Sequence, residues 1–159
     1  MLAAWLNATP KPLTSLLEDI AHTPVRLQVL AEGERPLTRR EQYRLSAEGL
    51  TACRWRHGLL LAGGQVAAST SLVWLPARLP AEACLELDAG DRPAGAILGP
   101  LGMRRTDRHA GASRLIEEVT GQDAAVMSSA VLTIGKVAVG IAEETITRAF
   151  ASALTGGGS

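Results

Sequence analysis

ACRWRHGLLLAGGQVAASTSLVWLP, residues Ala52 to Pro76, is the stretch that decides the fold of this chain. Two apolar, β-compatible runs flank Ala62-Gly63-Gly64-Gln65, and the Gly-Gly pair supplies the positive φ angles of a tight turn. The stretch therefore reads as a hairpin. A period of two along its first arm places Arg54 and Arg56 on one face and Cys53, Trp55 and His57 on the other. A guanidinium within an apolar arm is costly to bury unless an anion meets it. Arg56, followed by Gly58-Leu59-Leu60-Leu61, is thus placed at the rim or floor of an apolar cavity.

Working outward, Leu13, Leu16, Leu17 and Ile20 recur at three and four residues, with Thr14 as N-cap and Pro24 as stop, which predicts a short amphipathic helix. Val25 to Ala31 alternates apolar and polar residues as a half-buried strand does. Glu34 to Gly49 is polar and only weakly periodic, and is expected to be a solvated connection. Beyond the hairpin, Pro80 opens a helix reaching about Leu87. Pro93 starts a further helical turn closed by Gly99-Pro100. Met103 to Arg108 is charged and reads as a strand with one wet face, and Ser113 to Val119 as a short helix. Ala124 to Ile134 and Val137 to Ile146 are apolar runs joined at Gly135-Lys136, a second hairpin with Glu143 and Glu144 in its last arm. Strands joined by short turns outnumber helices, so the expected class is α+β: a single antiparallel sheet with short helices covering one side. One domain spans residues 1–154, followed by a flexible Gly-rich tail, 155–159.

At 159 residues the chain suffices for one core. Formal charge balances at zero and no like-charge block is long, which argues against nucleic acid or an anionic membrane as partner. Nothing approaches a membrane span of ~20 apolar residues, and no secretory leader is evident. Cys53 and Cys84 have no metal-ligand spacing and read as packing thiols in a reducing cytoplasm. His22, His57 and His109 stand alone, and no P-loop, dinucleotide fingerprint, GxSxG elbow or HExxH is present, so neither metal nor organic cofactor is expected. What remains is an arginine on one strand and a carboxylate, Glu143 or Glu144, on another. The residues alone leave open a mutual salt bridge, outward-facing charges or a site.

The order of features resembles the chorismate pyruvate-lyase family. It is carried by Leu13-Thr14, the strand from Val25, Trp55-Arg56-His57-Gly58-Leu59-Leu60 with Gly63-Gly64 and Pro76, Pro93-Ala94-Gly95, and Gly135-Lys136-Val137 with Glu143-Glu144. Ala94 stands where the family has leucine, and Val137 where it has proline. The resemblance implies a chorismate lyase-like fold and cofactor-independent elimination of pyruvate from chorismate, giving 4-hydroxybenzoate, in a monomer or small homo-oligomer. It also implies roles. Arg56, with Arg54 beside it, would bind the ring carboxylate, the Ala94 amide would add a donor, Leu13 would belong to a closing flap, and Glu143 or Glu144 would act on the 4-hydroxyl. Counting from Gly135 favours Glu143, the spacing to Ile146 favours Glu144, and the two point to opposite faces. The competing class is a non-catalytic module binding a small cyclic carboxylate, since the same fold type resembles effector domains of bacterial transcription regulators. Those carry a DNA-binding segment ahead of the sensor, and here only about two dozen residues precede the first strand, which favours the enzyme.

Overall fold

The computed structural model describes residues 13–49, 52–111 and 124–150. The helix expected at Ser113 to Val119 and the Gly-rich tail lie outside these residues. Six strands, β1 (Val25–Pro36), β2 (Ala52–Ala62), β3 (Gln65–Trp74), β4 (Met103–Gly111), β5 (Ala124–Ile134) and β6 (Val137–Thr147), form one sheet in the order β1-β2-β3-β6-β5-β4. Every neighbouring pair is antiparallel. Gly63 and Gly64 turn the first hairpin with φ of 57° and 78°, and Gly135 opens the second turn with φ of 63°. The two hairpins dock through β3 and β6, so the halves of the sheet meet at Thr70 opposite Glu144 and Trp74 opposite Gly140.

Helices α1 (Leu13–Ala21), α3 (Ala81–Ala89) and α4 (Ala94–Leu98) cover one face, here the front. Leu13 and Leu17 of α1 pack with Leu60, Ala68 and Ile146, while Leu87, Ile97 and Leu98 of α3 and α4 pack with Leu72, Trp74 and Leu132. Burying each such leucine removes it from water at a gain of ~1.5–3 kcal/mol.

The segment expected to be a solvated connection does more than connect. Its middle is α2 (Arg39–Arg44), and Leu37, Leu45 and Ala47 are buried on the back of the sheet with Cys53, Val73, Val131 and Ile141. The apolar residues are spaced by polar ones that face water, which hid the docking. A capping box starts α2: Thr38 accepts from the Glu41 amide at 3.2 Å and Glu41 accepts from the Thr38 amide at 2.9 Å. Arg35 grips the same carboxylate at 2.7 and 2.8 Å. The Arg35 hydrogen bonds hold the Glu41 carboxyl below the usual glutamate range, outweighing a smaller upward push from burial. A carboxyl lowered on folding contributes stability above its unfolded value and loses it as pH falls through the folded one. Glu41→Gln is therefore expected to lower the melting temperature by ~2–4 °C near neutral pH, a change of about 1 kcal/mol. Variant and parent should converge as pH falls through the lowered titration of the Glu41 carboxyl; an offset that stays constant from neutral to acid pH in calorimetric melts would contradict the pairing.

Candidate functional site

On the front face the sheet, α1 and α4 enclose a cavity of about 30 Å³ lined by residues including Thr14, Arg56, Thr70, Ala94, Arg105 and Glu144. That is room for one or two waters. Leu27, Leu60, Leu72 and Leu132 make much of the remaining wall apolar.

Arg56 reaches the cavity from the middle of β2 with 2% of its surface exposed. Its two terminal nitrogens donate to the carbonyls of Leu87 (3.0 Å) and Arg92 (3.1 Å), at the end of α3 and just beyond it. Its Nε is buried with no partner, and no carboxylate pairs with it among the described residues. Burial lowers its pKa to about 10, against a smaller upward pull from Glu32. Two carbonyls fix the fork's direction without neutralising its charge.

Arg105 enters from β4 and meets Glu144 of β6 in a two-pronged pair at 2.5 and 3.1 Å. Burial would lower the Arg105 pKa, but the charge and hydrogen bonds of Glu144 outweigh it and leave the net direction upward. The Nε of Arg105 is also buried and has no hydrogen-bond partner among the described residues. Arg105 and Glu144 cancel, and Arg56 remains the cavity cation with no ion-pair partner among the described residues, Glu32 on the neighbouring strand acting on it only at longer range.

Strand parity separates the expected site residues. Glu144 lies opposite Thr70 on the front and lines the cavity, whereas Glu143 lies opposite Ser71 on the back, exposed, where the Ser129 hydroxyl donates to it at 3.3 Å. Arg54 shares the front face with Arg56 but turns away, binding Asp88 of α3 at 3.0 Å and lying 5.9 Å from the Trp74 ring centre. Leu13 is packed in the core, and its neighbour Thr14 is the α1 residue at the cavity wall. Ala94 sits in the wall at the start of α4. Arg105 was missed. Its signal was the two-residue step from Met103, which also lines the cavity, so both face inward from β4.

Burial raises the Cys53 and Cys84 thiols, with Asp88 adding to the effect at Cys84, which is opposite to what an activated nucleophile needs. No cluster of three or more His, Cys, Asp or Glu that could hold a metal occurs among the described residues. No helix among them is long and apolar enough to cross a membrane.

No protein-family model matches the chain, and no curated protein matches it. Solved structures do. The effector domain of PhnF from Mycobacterium smegmatis superimposes with a TM-score of 0.68 at 11% identity, over 89% of this chain and 93% of that one. The ligand-binding domain of a GntR-family transcriptional regulator from Bordetella bronchiseptica gives 0.58 at 12% identity, over 78% and 85% of the two chains. The fold is that of a GntR-family effector domain. Against the longer PhnF chain the TM-score is 0.66 at 9% identity, and this chain, 89% of it covered, spans about two thirds of that protein, 66%.

These likenesses correct the expectation of an enzyme. The matched structures are described as an effector domain and as the ligand-binding domain of a transcriptional regulator, not as lyases. Within the cavity, both oxygens of Glu144 already accept hydrogen bonds from Arg105, so neither is placed to deliver a proton to a substrate hydroxyl.

Proposed function

We propose that this domain is a non-catalytic binding module for a small organic anion, a carboxylate or a phosphate, held on the front face by Arg56. One observation carries this reading: a guanidinium with 2% of its surface exposed has its direction fixed by two carbonyls, no carboxylate partner among the described residues, and a free Nε beside an apolar cavity. Burying an unpaired charge is costly, and an anion that hydrogen-bonds to it offsets that cost. Arg105 and Glu144 add one donor and two acceptor oxygens for the ligand's polar groups. The likeness to effector and ligand-binding domains supports the same reading. The cavity as it stands admits one or two waters, so a ring-sized ligand enters as the Thr14 or Pro93–Gly95 wall moves outward.

Calorimetric titration with 4-hydroxybenzoate and with inorganic phosphate separates the two anion chemistries. At least one is expected to bind at a single site, and incubation with chorismate is expected to release no pyruvate. Absence of binding by both anions would refute the anion site. Steady pyruvate release would restore the lyase.

A further inference from the structure

The back of the sheet carries a second, larger concavity of about 220 Å³, about seven times the front cavity. It opens between α2 and the central strands. Ser71 and Val73 of β3 and Ile141 and Glu143 of β6 line it from the sheet, and Arg35, Thr38, Arg40, Glu41 and Arg44 from α2 and its approach. On the same measure it holds roughly seven times as many waters as the front cavity, enough for a compact metabolite.

Of the five charged groups lining it, three are already neutralised. Arg35 and Glu41 hold each other in a two-pronged pair. Arg44 gives its Nε to Asp107 at 2.9 Å and one terminal nitrogen to Ser129 at 2.8 Å. Arg40 and Glu143 are left, both exposed, with neither in an ion pair among the described residues. A simple anion would meet Arg40 but also Glu143, and a simple cation would meet the reverse. A molecule carrying both charges satisfies both walls.

We infer that this back-face groove binds a small zwitterion of the α-amino acid type, its carboxylate on Arg40 and its ammonium on Glu143. The inference is independent of the front-face reading, since no residue lines both concavities. Glu143 thereby acquires a role that the front cavity gives it no part in. Ser71, Thr38 and the apolar floor of Val73 and Ile141 set which side chain is accepted.

The test titrates the full chain with each of the twenty common amino acids by calorimetry. At least one should bind, and its N-acetyl and carboxamide derivatives should each bind about 10-fold more weakly or less, as expected for losing one charge-assisted contact. Arg40→Ala and Glu143→Gln, both exposed changes that should leave melting unaltered, should each weaken binding about 10-fold. Arg56→Met should leave it unchanged. If none of the twenty binds, if Arg40→Ala and Glu143→Gln bind as the parent does, or if Arg56→Met abolishes binding, the inference is overturned.

Discussion

Arg56→Met is expected to weaken binding of the front-face anion by about 10–100-fold, the equivalent of the ~1.5–3 kcal/mol of a hydrogen bond to a charged group. Methionine preserves most of the apolar stem and removes the cavity cation that has no ion-pair partner among the described residues. The loss should appear in the dissociation rate more than in association, because a buried contact governs residence and contributes little to long-range steering. Arg56→Lys is the sharper companion. It keeps the charge but cannot donate to the carbonyls of Leu87 and Arg92 and to a ligand with the same planar fork. It should recover only part of the affinity. Equal affinity of parent and Arg56→Met for every anion that binds would show that Arg56 serves only to tie β2 to the end of α3.

The second large effect concerns the seam between the two hairpins. A Cβ added at Gly140 would lie 2.5 Å from the carbonyl oxygen of Val73 and 3.4 Å from Cα of Trp74. The obstruction is backbone, and Trp74 opposite is fully buried, so the strands themselves would have to part. Overpacking of this kind costs about 3 kcal/mol, a drop of roughly 6–12 °C in melting temperature for a chain of this size. Gly99→Ala is the control. No atom beyond its chain neighbours lies within 4 Å of a Cβ there and its φ is −54°, so melting should shift by no more than about 2–4 °C in either direction. A Gly140→Ala variant melting with the parent would mean that β3 and β6 are not in the register described.

The parts of the fold that were legible in the sequence are those where local pattern and tertiary role agree. The alternation through Arg54 and Arg56, the Gly63-Gly64 turn and the apolar arms around Gly135 all specify hairpins whose pairing is local. The docking of Leu37, Leu45 and Ala47 was not legible. Their burial depends on a sheet face assembled from distant strands, although Thr38 followed by Glu41 did carry the capping-box signal of a helix start. Choosing between Glu143 and Glu144 required the register against β3, because adjacent strand residues differ only in which face they meet and nothing in their own sequence names that face. The chemistry misled for a similar reason. An arginine on β2 and a glutamate on β6 resemble a lyase site, but β4 supplies Arg105, which takes the glutamate.

The most direct measurement follows the Nε–H of Arg56 by nitrogen-detected or proton–nitrogen correlation NMR while the anion from the front-site titration is added. That group has no protein acceptor among the described residues, so when a charged acceptor replaces cavity water its resonance should move downfield and saturate with the calorimetric affinity. An anion that binds while the Arg56 Nε–H resonance stays in place would contradict a site organised around this buried cation.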